Sequence, residues 1–274
     1  MPETPDLVVI ARYLQERVVG LRIQAVREFR PLALRVLTPD QDASLFCVGR
    51  QIVAVTTRAK FLLLTLDDAR YIAINFMLAG ALRHGTPEQP IRKRDYVAFV
   101  LDDGSELRYH DPRGMGKVYL CTDLDAVPGL SGVGPDALAP ELTLDVFRAR
   151  LRSHRGELKG VLTRGALVGG IGNAYTDEIL FRAGIYPFRR VHTLTADEVE
   201  ALYEAMRAVL HEAIAVLGER MGDEIDVRVR DFLAVHNKPG QPCPRCGRPI
   251  SEVKSGQRAT NFCRHCQPGS LIRQ

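Results

Sequence analysis

CPRCGRPISEVKSGQRATNFCRHC, residues 243–266, carries two Cys-x2-Cys knuckles separated by sixteen residues. Cys243, Cys246, Cys263 and Cys266 supply four thiolates, the number and type that a tetrahedral zinc takes, at the spacing of a zinc ribbon. Paired disulfides are the weaker reading in a chain whose start lacks a secretory leader. Four protein ligands leave no open coordination position, so the expected zinc is structural. Residues 250–262, between the knuckles, read as a β-hairpin displaying Lys254 and Arg258. A metal-held hairpin can set an arginine's fork of donors against a phosphate. The remaining cysteines, Cys47 and Cys121, have no such company and read as small buried apolar residues.

Outward from this tail the charge is uneven. From Lys238 to the end, seven Lys or Arg (Arg273 among them) face one acid, Glu252, in a chain whose formal net charge is only +4. Arg148, Arg150, Arg152, Arg155, Lys159 and Arg164 form a second basic cluster beside Asp145 and Glu157. Two such patches suggest a polyanionic partner, nucleic acid first, with a solvated face as the plain alternative. The 274 residues suffice for two domains, and 46% hydrophobic with 26% charged residues is an ordinary globular balance. No apolar run is long enough to span a bilayer, and a cytoplasmic protein is expected.

The N-terminal stretch MPETPDL predicts a positioned start. Thr4 can cap a helix with Pro5 at its first position and Asp6 in its first turn, and Leu7, Ile10, Ala11, Leu14 and Val18 continue at helical spacing to Gly20. IVAVTT, FLLLTL, YIAINFM, YVAFVL and KVYLCT then read as strands, with an Asp-Gly hairpin turn in LDDGSEL. Residues 126–140 are rich in Gly and Pro and read as a linker. Thr195 and Glu198 form a capping box ahead of a helical stripe of Val199, Leu202, Met206, Val209, Ala213 and Val216. The expected class is α+β multidomain: a β-sandwich with one helix over 1–122, a linker over 123–142, a helical domain over 143–235 and a zinc finger over 236–268.

Taken together, MPETPD, RAKFLL around Lys60, LRYHDPRGMG, LSGVGPDAL, VGGIGNAYTDEILFRAGIYP and GQRATNFCRHCQ, in this order, resemble the formamidopyrimidine-DNA glycosylase and endonuclease VIII family of base-excision repair enzymes. The resemblance covers nearly the whole chain. It implies a β-sandwich, a helix-two-turn-helix domain and a zinc-finger hairpin, with damaged or abasic DNA as the partner. A monomer is expected, since no oligomerisation stripe is visible. It also implies a DNA glycosylase with AP lyase activity. Once Met1 is removed, Pro2 becomes a secondary amine that attacks C1′ of the damaged nucleotide, and Glu3 gives and takes protons at the sugar. An α-amino group titrates near about 8 against about 10.4 for lysine, so more of it is neutral at pH 7. A secondary amine forms a cationic iminium directly. Outside this resemblance Pro2 and Glu3 would read as a disordered start.

By the same resemblance Lys60 is a strand lysine reaching the lesion's backbone. Asn173, after Gly170-Ile171-Gly172, lies where phosphate meets a helix N-terminus, and Arg258 is the finger arginine. Lys159 is a further phosphate candidate, Arg113 a DNA contact, and Asp6 and Glu178 are lesion-pocket carboxylates. Their plain alternatives are a snorkelling lysine, an N-cap asparagine and surface acids. Departures from the family pattern also matter. Asp6 replaces a glutamate, and Gly114 and Met115 replace the arginine and phenylalanine that follow Arg113. The apolar wedge is then Leu78. The region between the Thr195 helix and Cys243 is short, so a loop that closes over 8-oxoguanine is missing, and efficient action on that base is not expected. A lesion-binding relative without chemistry, or a zinc-ribbon protein that binds RNA or proteins, are the competing readings.

Overall fold

The computed structural model describes residues 1–38, 42–256 and 258–269; Gln257 of the finger motif and Arg273 of the basic tail lie outside them. The chain divides into two compact units. One is Met1–Gly132 with Val216–Val229, and the other is Val133–Ala215 with the chain from Arg230 onward.

The first unit opens with α1 (Thr4–Val18), and Leu7, Ile10, Ala11, Leu14 and Val18 are all buried as the spacing predicts. The cap, however, is Glu3 and not Thr4. The Glu3 side chain accepts from the Asp6 backbone N–H while the Glu3 N–H donates to Asp6 Oδ2 at 2.9 Å. A carboxylate on each end of a reciprocal box outcompetes a threonine hydroxyl as acceptor for the helix's free N–H groups.

Two sheets follow. In the first, β1 (Ile23–Glu28), β7 (Asp95–Leu101), β8 (Glu106–His110) and β6 (Ala81–Gly85) lie in that order, all antiparallel. In the second, the order is β2 (Leu34–Val36), β9 (Lys117–Cys121), β5 (Arg70–Asn75), β4 (Phe61–Leu66) and β3 (Ile52–Arg58), with only the β2–β9 pair parallel. A short helix, α2 (Ala43–Cys47), separates β2 from β3. Strand β4 is covered on both faces. Phe61 and Leu63 pack with Val127 and Leu130 from the Gly/Pro-rich stretch, and the alternating Leu62, Leu64 and Leu66 are as well buried. The β7–β8 hairpin turns through three residues. Leu101 N–H bonds Ser105 O at 2.8 Å and Gly104 N–H bonds Leu101 O at 3.1 Å, with Gly104 at φ 86°. The expected Asp-Gly hairpin turn forms here as a type I turn plus a left-handed glycine, with Asp103 Oδ1 accepting from the Ser105 N–H and Asp103 keeping a negative φ.

Strand register places three connections at one end of the second sheet. Phe61 pairs with Asn75, and Asn75 pairs with Lys117. The β3–β4 turn at residues 59–60, the loop 76–80 and the loop 111–116 therefore share an edge. The last two are packed tightly. A Cβ on Gly80 would meet the Tyr109 hydroxyl at 2.5 Å and one on Gly116 would meet Asn75 O at 2.6 Å, so only glycine fits at either place.

In the second unit α3 (Leu144–Arg152), α4 (Leu158–Thr163), α5 (Asn173–Ala183) and α6 (Ala196–Arg220, whose last turn counts with the first unit) enclose one apolar core around Tyr175, Ile179, Leu180, Leu202 and Met206. The capping box of α6 forms, with Thr195 N–H on Glu198 Oε2 at 2.8 Å and Glu198 N–H on Thr195 Oγ1 at 3.2 Å. Val216 of the expected stripe is only half-buried, and Leu217 is buried in full. Finally β10 (Ser251–Ser255) and β11 (Arg258–Phe262) form the hairpin between the cysteine pairs. Phe262 stacks edge-on with Tyr186 and Phe188, and the Arg245 guanidinium lies 4.5 Å from the centre of the Phe181 ring.

Candidate active site and nucleic-acid interface

Met1 is half-buried, and the residues that follow it are buried. Pro2, Glu3 and Asp6 all lie inside the first unit, held by the Pro5-started helix and its reciprocal cap. Pro2 and Asp6 line a crevice with Ile10, Phe76 and Gly80 and with Met221, Ile225, Val227 and Arg228 of the segment after α6. Asp6 thus both lines the crevice and holds the Glu3 backbone through its carboxylate. An Asp at this place reaches the Glu3 N–H with a short side chain.

Lys60 is not within a strand, as expected, but in the two-residue turn joining β3 and β4, where Arg58 faces Phe61 across the turn. Its neighbour Ala59 stands at φ 54°, a left-handed conformation that costs a non-glycine residue about 1 kcal/mol. Retained strain of this kind marks a place where backbone geometry matters more than local stability. In the loop 76–80 Leu78 is 38% exposed, and Met115 of the loop 111–116 is 44% exposed. Both are large apolar side chains facing solvent at the edge that carries Lys60.

Asp111 builds the second of these loops. Its carboxylate accepts from the Arg113 N–H at 2.9 Å and the Gly116 N–H at 2.7 Å, and Gly114 N–H closes a turn onto Asp111 O. Asp-Pro-Arg-Gly is the residue order a type I turn favours. Arg113 is exposed, while Gly114 sits at φ 66° with Tyr96 Oη only 2.6 Å from where its Cβ would be. The backbone here is thus shaped around the absence of a side chain.

In the second unit the expected residues converge on one carbonyl. Asn173, the first residue of α5 after Gly172 as cap, donates Nδ2 to Ala259 O at 2.9 Å, and Lys159 Nζ donates to the same oxygen at 3.0 Å. Ala259 follows Arg258, which is exposed at the tip of the hairpin. Lys159 is buried and also meets Asp177 Oδ1 at 2.6 Å. The other Asp177 oxygen lies 2.8 Å from His236 Nδ1 and accepts from the Asn261 N–H at 3.2 Å. Glu178 is buried too, and accepts three backbone N–H groups: Ala234 at 2.7 Å, Val235 at 2.9 Å and His236 at 2.8 Å. Its carboxylate fastens the segment 234–236 to α5.

The four expected zinc ligands lie within 4.8 Å of one another, with Cys243 and Cys266 Sγ 3.8 Å apart and Cys246 and Cys263 Sγ 3.5 Å apart. Zn–S bonds of about 2.3 Å in a tetrahedron require S···S edges of about 3.8 Å, and disulfide sulfurs lie about 2 Å apart. The donor set fits one zinc ion and not two disulfides. Cys47 and Cys121 are buried within the first unit, and burial pushes their thiols up to about 12 and about 11, which leaves both inert.

Three family models match this chain: the formamidopyrimidine-DNA glycosylase N-terminal domain over residues 1–118, the H2TH domain of the same enzymes over 133–224, and the zinc finger found in FPG and IleRS over 240–269. The chain belongs to the formamidopyrimidine-DNA glycosylase family. It is 38% identical to the formamidopyrimidine-DNA glycosylase of Symbiobacterium thermophilum over 98% of this chain and 90% of the relative. It is 35% identical to that of Laribacter hongkongensis over 97% and 100%. Among solved structures it resembles the Lactococcus lactis Fpg bound to abasic-site DNA, with a TM-score of 0.87 at 27% identity, over 97% of this chain and 100% of the other. The complex of that enzyme with FAPY-dG DNA matches equally well. Members of the family are DNA repair enzymes, and the tail of this one is the family's zinc finger. Among the described residues no helix is long and apolar enough to cross a membrane.

Sequence reasoning missed Asp111, Asp177 and Arg228. The first was legible in Asp-Pro-Arg-Gly, which spells an Asp-led turn. Asp177 stands beside Glu178 on a helix and gave no signal of its buried partners. Arg228 lies in a segment with no pattern at all.

Proposed function

We propose that the protein excises damaged bases from DNA through an iminium formed by Pro2 and then cleaves the strand by elimination. One observation carries the reading: the first residues are buried and locked by the Glu3–Asp6 box, so the N-terminus is held as a reagent is held and not as a tail. With Met1 removed, the Pro2 nitrogen gives its lone pair to C1′ as the bond to the base breaks. The base leaves with the proton the amine loses. Glu3 protonates O4′ as the sugar ring opens, and the cationic iminium results. The Glu3 carboxylate then takes a C2′ proton while the 3′-phosphate departs, and a second elimination can expel the 5′-phosphate. Water releases the sugar fragment and restores the amine.

Lys60, Asn173, Arg113 and Arg258 are assigned to phosphates, with Lys159 setting Arg258 through Ala259 O. Leu78 and Met115 fill the space a flipped nucleotide leaves. Gly114 offers no group to the orphaned base, so discrimination of that base is weak. The short region before Cys243 argues against efficient 8-oxoguanine excision and for ring-opened purines, oxidised pyrimidines, bulkier adducts or single-stranded substrates. The enzyme acts as a monomer on chromosomal DNA in the cytoplasm.

Borohydride trapping on an oligonucleotide with one abasic site tests this. A covalent adduct is expected with the native start and none with an N-terminal extension that acylates Pro2. Tight binding without an adduct would instead support a lesion-binding relative, the second reading that Gly114 favours.

A further inference from the structure

Residues 221–229 follow α6 and pack within the first unit, and Arg228 there is tied to the wedge loop. Its Nη1 donates to Leu78 O at 2.7 Å and its Nη2 to Gly80 O at 2.9 Å. We propose that Arg228 is a positioning residue that holds Leu78 out for insertion into duplex DNA, and that it couples this wedge to the crevice beside Pro2. The inference rests on the reading above that Leu78 is the wedge.

Three features make the clamp necessary. Met77, immediately before Leu78, stands at φ 46°, a conformation that a long side chain holds only when its surroundings impose it. The loop cannot settle inward, because Gly80 already packs against Tyr109 Oη and Phe76 O with no room for a Cβ. And Leu78 is 38% exposed, so it is not sealed into the apolar core. Met77 N–H on Asn75 Oδ1 at 3.0 Å and Gly80 N–H on Phe76 O at 2.8 Å hold the ends of the loop, and the Met1 amine meets Leu78 O at 3.3 Å. Once Met1 is removed, the planar guanidinium spanning the two carbonyls restrains the middle of the loop, and a lysine would reach one of them at a time.

The clamp is itself anchored. Met221 and Ile225 of the same segment are buried, Asp223 pairs with Arg17 at 2.9 Å and Asp226 with Arg92 at 3.7 Å. Met221, Ile225, Val227 and Arg228 also line the crevice with Pro2 and Asp6. A group entering beside Pro2 presses on the element that grips Leu78. Occupancy of the base site and depth of the wedge are thereby linked through one side chain.

Arg228→Ala, Arg228→Lys, Leu78→Ala and the double variant Arg228→Ala/Leu78→Ala test the coupling. Each is assayed for borohydride trapping on one abasic site in a duplex and in the same oligonucleotide as a single strand. A 2-aminopurine opposite the site reports opening of the stack. Single strands have no stack to fill. Arg228→Ala is expected to lower duplex trapping about tenfold relative to single-strand trapping, the order of one or two lost hydrogen bonds to an ion. Arg228→Lys is expected to recover part of this, and the double variant to be no worse than Leu78→Ala. Equal loss on both substrates, or additive losses in the double variant, would overturn the proposal. A melting curve identifies any misfolded variant, and Arg228→Lys, which keeps the charge, then decides by the same ratio. If the unaltered protein traps neither substrate, the iminium chemistry fails. The 2-aminopurine signal, which needs binding alone, still decides the clamp.

Discussion

Lys159 Nζ and Asp177 Oδ1 lie 2.6 Å apart with both side chains nearly sealed from solvent, at 9% and 0% exposure. The lysine's second acceptor is the carbonyl beside Arg258. Truncating one partner of a buried pair leaves the other charge stranded. Lys159→Met is expected to cost about 3 kcal/mol of stability, measured by chemical denaturation, and to weaken DNA binding by freeing the hairpin. The double variant Lys159→Met/Asp177→Asn should recover part of the stability but not the affinity, since Ala259 O has still lost a donor.

The Glu3–Asp6 box separates stability from chemistry in a second way. Asp6→Ala removes one half of the reciprocal box around the Glu3 cap, worth about 1 kcal/mol, which thermal melting reads. It should reduce trapping by more than that loss explains, because Glu3 is no longer oriented. Asp6→Asn, which can still accept from the Glu3 N–H, should restore most of the melting temperature.

Restoring an arginine at position 114 is not expected to restore discrimination of the opposite base. Gly114→Arg would place a side chain at φ 66° and its Cβ against the Tyr96 hydroxyl. A destabilisation of about 2 kcal/mol is expected, with unchanged opposite-base preference in a single-turnover excision series. Tyr96→Phe in the same background should return part of the stability.

Acid should unfold the first unit through Asp95. Burial alone would raise this carboxyl, but the Arg92 N–H, His110 and a two-pronged contact from Arg83 outweigh it and hold its pKa below the ordinary 3.8. The folded state therefore favours the ionised form more than the unfolded chain does. The resulting stabilisation is complete above about pH 4 and is lost as the pH falls through the folded value. Asp95→Asn should lower stability at neutral pH and flatten its dependence on pH below about 4, followed by circular dichroism.

The periodic and the covalent parts of this molecule were legible in its residues. Leu7, Ile10, Ala11, Leu14 and Val18 mark α1 because a helix repeats every 3.6 residues, and four cysteines at fixed spacing announce their metal. What escaped was set by partners distant in the chain. Glu3 takes the cap from Thr4 through a carboxylate exchange that no propensity encodes. Lys60 lies in a turn because Ala59 adopts a left-handed backbone that alanine rarely does. Lys159 and Glu178 look like surface charges in a basic or helical context, yet each is buried against backbone groups of the segments that follow α6.

The packing of Gly80 and Gly116 bears on how such an enzyme can be altered. The Tyr109 hydroxyl lies hard against both, so the loop with Leu78 and the loop with Met115 turn on a common pivot. Loops borrowed from a relative would have to be transplanted as a pair together with that tyrosine. A change of lesion preference through either one alone would meet resistance from the other, and variation in this edge of the sheet is expected to be inherited in blocks.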